Sequence, residues 1–458
     1  MMTRVMPFQL IAGACVGFFC LQNTALASDY THPISGISAH QKLEHKIGEA
    51  IFQKLWVPAP SSTTASDGLG PLYNARSCQN CHVNNGRGHA PEAHINGASV
   101  PSFVVRLGKN TASASSTIEG IFPHIGDSRY GHQFQHHNAP GIEPEGDYHL
   151  TYLTQIETFD DGTTVELRQP KLHWNTLNYG KLDALTGHTL LVSPPLVGMG
   201  LLDHIPDDVI LANSDPDDLD NDGISGRPNR ILIDGNIQLG RFGYKATTAR
   251  LSEQNQQAFN IDLGLSTPIL PNASGDCTVF QQGCVNSPNG NSVHLDNLEV
   301  DRQQMRLVNV FIALSAPPAM RRLQDPSFLA GKRLFDQGRC ASCHTPKMHT
   351  GENSTFQGLN NRTFYPFTDM LLHDMGEGLA SGFPAFSAQP REWRTAPLWG
   401  IGLSETVSKR QGFLHDGRAR TLEEAILWHG GEAQPSQQFY KALNSADRKT
   451  LIHFLESL

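Results

Sequence analysis

The stretch S-C-Q-N-C-H at residues 77–82 sets two cysteines three positions apart and places a histidine directly after the second. The pattern returns at 340–344 as C-A-S-C-H. One helical turn separates the two thiols and aims the next imidazole at the same place. Two thiols can form thioethers with the two vinyl groups of one haem while the imidazole meets its iron, and C-x-x-C-H is the signature of that attachment. Paired cysteines have two rival uses, a shared zinc site and a redox disulfide. Zinc held by both pairs would not need a histidine after each, and structural zinc is less usual in exported proteins. The reading is two covalently bound haem c groups. Cys78, Cys81, Cys340 and Cys343 carry the thioethers, and His82 and His344 are the proximal iron ligands.

The N-terminus supplies the export. Arg4 precedes an apolar run from Met6 to about Leu21, and Ala25–Ala27 is a small-x-small cleavage site. These mark residues 1–27 as a secretory signal peptide, and the run is short for a membrane span. The expected location is the periplasm, with no membrane span after cleavage. Cys15 and Cys20 leave with the peptide. In an oxidising compartment, Cys277 and Cys284 in G-D-C-T-V-F-Q-Q-G-C, with no histidine beside them, read as a local disulfide. A formal net charge of −9 over 458 residues argues against a nucleic-acid partner, which needs a basic face.

Both haem motifs follow a related helix. K-I-G-E-A-I-F (46–52) and A-G-K-R-L-F-D-Q-G-R-C (330–340) each place a glycine shortly before an apolar pair. The first copy is separated from its cysteines by a polar, turn-rich insertion. Between the motifs, T-T-V-E-L-R-Q-P-K-L-H-W and R-I-L-I-D-G-N-I-Q-L-G alternate like strands. D-R-Q-Q-M-R-L-V-N-V-F-I-A-L-S (301–315) has helical spacing, and Thr421 with Glu424 opens another helix with a capping-box pattern. The expected fold is mainly α: two cytochrome-c-like helical haem domains with an extended, partly β insertion between them. The boundaries read 28–150, 151–300 and 301–458.

Residues 218–226, D-L-D-N-D-G-I-S-G, alternate Asp218, Asp220 and Asp222 before Gly223, like the start of a calcium loop. The closing acid would fall at Asn229, which has no carboxylate. An acidic turn is the alternative reading. His124, His132, His136 and His137 form a cluster that reads as a solvated loop or a metal site.

The motifs G-L-G-P-L-Y-N-A-R-S-C-Q-N-C-H, D-N-D-G-I-S-G-R-P-N-R, L-L-H-D-M-G-E-G-L-A, R-E-W-R-T-A-P-L-W-G-I-G and F-L-H-D-G-R-A-R-T-L-E-E-A-I-L-W-H-G-G-E-A cover nearly the whole mature chain. In them the sequence resembles the bacterial di-haem cytochrome c peroxidase superfamily. The nearer likeness is to its branch of longer di-haem oxidoreductases, some of which carry a thiol-oxidoreductase label. The resemblance implies reduction of hydrogen peroxide to water. The C-terminal haem would relay electrons from a small c-type cytochrome or copper protein, and the N-terminal haem would react. A di-haem electron carrier without turnover and a haem oxidase or oxygenase acting on an organic or protein substrate are the alternatives. In the peroxidases a methionine closes the second iron; His429 stands at the corresponding place here, with His373, Met375 and His415 as rivals. The relatives also carry a Gln and, ten residues later, a Glu beside the reactive haem. Gln135 and Glu145 keep that spacing and are the expected catalytic pair, with Gln133 and Glu143 as the alternative register. His89 and His94 are candidates to cap the first iron. Trp393 and Trp399, in the segment that approaches the haem in relatives, read as core or as an electronic bridge.

Overall fold

Ser38 and Gln41 cap each other at the start of the first helix: Ser38 Oγ accepts from Gln41 N (3.1 Å) and Gln41 Oε1 from Ser38 N (3.0 Å). The computed structural model describes residues 29–111, 120–352, 355–410 and 412–458, so the expected signal peptide lies outside the described residues. In chain order the elements that matter are helix α1 (Ala39–Gln53), strands β1 (Phe103–Lys109), β2 (Gly146–Thr158), β3 (Thr164–Leu177) and β4 (Thr186–Val192), then helices α2 (Leu251–Leu263), α3 (Arg302–Leu314), α4 (Pro326–Gln337), α5 (Leu422–Leu427) and α6 (Ser445–Ser457).

The repeated glycine has a packing reason. α1 packs on α3, which lies far along the chain, and α4 packs on α6. At the first crossing a Cβ on Gly48 would stand 2.0 Å from the Leu307 carbonyl oxygen. At the second, a Cβ on Gly331 would stand 2.4 Å from that of Thr450. Only a residue without a side chain lets the backbones approach so closely. The apolar pair that follows each glycine fills the same seat. Phe52 meets Phe311 at 5.2 Å between ring centroids, and Phe335 meets Phe454 at 5.3 Å. Burying two such rings stabilises each crossing by a few kcal/mol.

The strands are not confined to a segment between two helical domains. β1 pairs antiparallel with β4 over its whole length, and on its other edge with Gln133–Phe134, where Val105 faces Phe134 and Arg106 faces Gln133. β2 and β3 form one long hairpin, Thr158 opposite Thr164 at its tip. Its base packs Tyr148 against Phe134 and Trp174. Its tip reaches the C-terminal helices, where Phe159 meets Tyr440, Lys441 pairs with Glu157 (2.8 Å) and Arg448 with Asp161 (2.8 Å). The hairpin is a strap between the surroundings of the two motifs. Helix accounts for 31% and strand for 19%, which corrects the expected mainly α class to a mixed one. Alternation in 164–177 was a true strand signal; the small sheets beside the first motif, made of short or distant strands, carried none. Among the described residues no helix is long and apolar enough to cross a membrane.

Candidate haem-binding cavities

Each motif closes one helical turn. His82 N donates to the Cys78 carbonyl and His344 N to that of Cys340, both at 2.9 Å. Ser77 caps the first turn through its hydroxyl, which accepts from Asn80 N. All four motif cysteines are free thiols, whereas Cys277 and Cys284 are joined in a disulfide. Cys78, Cys81 and His82 line one cavity of about 310 Å³; Cys340, Cys343 and His344 line another of about 230 Å³. Separate cavities exclude a zinc ion shared by the two pairs. Burial pushes the Cys78 and Cys340 thiols up to about 12, which disfavours the thiolate a metal would need. Two thiols and one imidazole on the wall of each cavity fit a haem c.

The imidazoles are prepared in one way. Nδ1 donates to a backbone carbonyl in His82 (Pro194, 2.8 Å), His344 (Phe367, 2.9 Å) and His429 (Ala425, 2.7 Å). A carbonyl only accepts, so Nδ1 carries the proton and the lone pair sits on Nε2. No Nε2 of the three has a hydrogen bond among the described residues. That is the state an iron-binding imidazole needs, with its orientation fixed by the second nitrogen. Burial lowers His82 and His344 to about 4 and lowers His429 below the ordinary value, which favours the neutral imidazole.

In the C-terminal cavity, His429 follows α5 and lines the same wall system as His344, close enough that its charge would depress the His344 pKa. Thr421 starts α5, its hydroxyl accepting from Glu424 N (3.1 Å). The Glu424 carboxylate turns to Arg420 instead of closing the capping box. The rival His373 has both nitrogens occupied, Nε2 by Asp369 (2.8 Å) and Nδ1 by Glu432 (2.7 Å). Burial opposes its charge, but these carboxylates raise its pKa well above the ordinary value. It is a pinned imidazolium and offers iron no lone pair. Met375 also lines this cavity.

The N-terminal cavity has a different polar lining. Arg106 from β1, Asp262 from α2, His124 and His132 all line it. Burial and the bond to Pro194 set the His82 pKa, and no neighbouring imidazole contributes.

A family model described as "Di-haem oxidoreductase, putative peroxidase" matches residues 11–458. The chain belongs to the di-haem oxidoreductase family. Membership implies two haems, in keeping with two cavities of matching donor set. No curated protein matches the chain. Among solved structures, hydrazine synthase of Kuenenia stuttgartiensis matches at 12% identity, covering 99% of this chain and 100% of that one, with a TM-score of 0.30. So low a score carries no argument.

In this di-haem oxidoreductase, Tyr244, Trp393, Arg394 and Trp399 line both cavities. Trp393 stacks on His415 (3.8 Å between centroids, 11° between planes) and donates its Nε1–H to the Leu379 carbonyl (2.8 Å). The Lys245 ammonium sits 4.2 Å from the Trp393 ring centre. His415 is thus held as a stacking partner.

Several expected site residues lie elsewhere. Gln135 and Glu145 are both buried, but neither lines the first cavity. One Glu145 oxygen accepts from Gln135 N and the other from Gln281 Nε2, both at 2.6 Å. With both oxygens bonded, Glu145 ties the disulfide loop to the sheet, away from the cavity wall. Glu143 is likewise absent from the wall; Gln133, buried behind it, is bonded to a wall residue. His89 meets Arg410 (3.4 Å) and His94 stacks with His149, so neither caps the first iron. The histidine cluster is not a solvated loop: His124 and His136 are buried, and His136 Nε2 bonds the Tyr148 hydroxyl (2.8 Å).

In the acidic loop, Asp218 and Asp220 gather with Asp215, their carboxylate oxygens within 4.8 Å of one another, and not with Asp222. Asp218 accepts from Gly223 N (3.1 Å), Asp220 from Asp222 N (3.1 Å) and Asp222 from Ile224 N (2.9 Å). The Asp222 carboxylate also pairs with Arg339, beside Cys340, and so does not gather with the other two. Asn229 is buried and donates to the Lys245 carbonyl (2.8 Å). The segment is a tether of acidic turns against the second haem motif. Arg106 and Asp262, on the first cavity wall, were missed; neither sits in a motif that could have singled it out.

Proposed function

We propose that this protein is an exported, periplasmic di-haem peroxidase that reduces hydrogen peroxide to water with electrons from a small c-type cytochrome or copper protein. The observation that carries the reading is the asymmetry of the two cavities. His429, with its Nε2 unbonded among the described residues, lines the cavity of His344, whereas the cavity of His82 is lined by Arg106 and Asp262 together with His124 and His132. Two strong imidazole donors on one iron favour a six-coordinate electron relay. The N-terminal cavity then serves as the reactive one, with a polar lining for a small oxidant.

Covalent haem at Cys78/Cys81 and Cys340/Cys343 would supply the electron storage and the peroxide-binding iron. The protein's own groups do the rest. Pro194, Phe367 and Ala425 carbonyls hold the three imidazoles in the ligating tautomer. The Trp393–His415 stack and Tyr244 fill the space between the cavities and provide an aromatic path for electrons.

Purified holoprotein tests the reading by EPR and optical spectra, then by peroxide turnover with a reduced cytochrome. One high-spin and one low-spin haem with turnover is the expected result. Two low-spin haems in every redox state and no turnover would establish a carrier instead.

A further inference from the structure

Arg106 and Asp262 stand on the wall of the N-terminal cavity with capacity to spare. The Arg106 guanidinium makes no hydrogen bond or ion pair among the described residues, although a cation in an enclosed wall ordinarily has an anionic partner. Asp262 Oδ1 accepts from Gln133 Nε2 (2.8 Å), while Oδ2 has no partner among the described residues. Gln133 also donates to Asn74 Oδ1, which in turn is fixed by its amide to the Phe134 carbonyl (2.9 Å). Arg106 and Gln133 are direct cross-strand partners, so their side chains leave the same face of the sheet. Gln133 thereby fixes the carboxyl of Asp262, which feels the charge of Arg106 although the two form no ion pair among the described residues.

We infer that Asp262 and Arg106 are the acid–base and anion-stabilising pair of the N-terminal cavity, in the place expected of Gln135 and Glu145. The inference deepens the peroxide-reduction reading and rests on it for the identity of the substrate. The step balances as follows. With a haem held by Cys78, Cys81 and His82, the Asp262 carboxylate would take the proton from one peroxide oxygen and deliver it to the other. The O–O bond breaks and that oxygen leaves as the first water. Two one-electron donations from the small redox protein and two solvent protons turn the remaining oxygen into the second water. Arg106 stabilises the negative charge that develops on the peroxide before the bond breaks. Burial raises the Asp262 pKa and the Arg106 charge opposes that rise, so the carboxyl is poised to give up and regain a proton.

The test uses the holoprotein and two readouts. Asp262→Asn keeps the oxygen that accepts from Gln133, and intact mass plus the optical spectrum verify that both haems remain. Peroxide kcat/KM is expected to fall by roughly 100-fold or more. Arg106→Leu is expected to weaken cyanide binding at the N-terminal haem by roughly tenfold or more, because the bound ligand is an anion. Glu92→Gln, at an exposed residue that lines neither cavity, should change neither readout by more than about threefold. Unchanged cyanide affinity in Arg106→Leu would overturn the inference, and so would a changed midpoint potential alone, which would make Arg106 a haem-carboxylate partner. Unchanged peroxide kinetics in Asp262→Asn would also overturn it, as would a wild-type N-terminal haem that never binds cyanide. Arg106-dependent cyanide binding in a wild-type protein without peroxide turnover would instead overturn the peroxidase reading and leave the anion-stabilising wall standing.

Discussion

The two cavities carry the same haem-binding motif and differ in what else lines them. Each has a C-x-x-C-H turn, an Nδ1 bonded to a carbonyl and a glycine-mediated helix crossing behind it. Beyond the motif, the C-terminal cavity is lined by His429, and the N-terminal cavity by Arg106, Asp262, His124 and His132. The same local machinery would thus hold two irons, and on the proposed reading their reactivity is set by what else lines each cavity. An imidazole closes an iron and makes it a relay, whereas charged and protonatable groups suit an exchangeable ligand.

The harshest way to break the comparison is to remove the shared part. Cys340→Ser with Cys343→Ser should leave intact-mass spectra with one haem fewer and unfold the α4–α6 packing. Cys78→Ser with Cys81→Ser should remove the other haem and abolish peroxide turnover. A wild-type mass equal to the apoprotein, after expression with cytochrome c maturation, would end the haem reading altogether.

Next comes the lining of the relay cavity. His429→Ala should turn the C-terminal haem from low-spin to high-spin in EPR and leave the N-terminal signal in place. An unchanged spectrum would move the ligand to Met375, because His373 is occupied at both nitrogens.

The crossings offer a milder probe. Gly48→Ala and Gly331→Ala each force a methyl group against a carbonyl. Each should lower unfolding stability by about 1–3 kcal/mol in chemical denaturation. A denaturation midpoint unmoved in both would show that the close approach is not required.

The smallest effect on chemistry should come from Glu145→Gln. An amide NH₂ there would face one of the two donors, Gln135 N or Gln281 Nε2, costing about 1–3 kcal/mol of stability. Peroxide kcat/KM should stay within about threefold of wild type, since the group does not reach the cavity. A loss of turnover without a loss of stability would restore Glu145 as the proton carrier.

What was legible in the sequence was local. A C-x-x-C-H turn fits within a single helical turn, so spacing alone fixes its geometry. The glycine and apolar pair repeat because two helix crossings impose the same contact twice, and the Cys277–Cys284 link spans only a short loop. His429 was singled out by the resemblance, at the place of the relatives' methionine, and it lines the same cavity as His344. The polar lining of the N-terminal cavity was not legible in this way. Arg106 comes from a strand, Asp262 from the last turn of α2, and Gln133 from a two-residue strand between them in sequence. The ten-residue spacing of Gln135 and Glu145 proved to be a backbone clamp, because spacing does not say which way a buried carboxylate turns. The sequence by itself determined where two irons can be held, since that is a matter of neighbouring residues along one turn. Only the tertiary structure decided what faces each iron, since packing of distant segments selects which polar groups are left unpaired on a cavity wall.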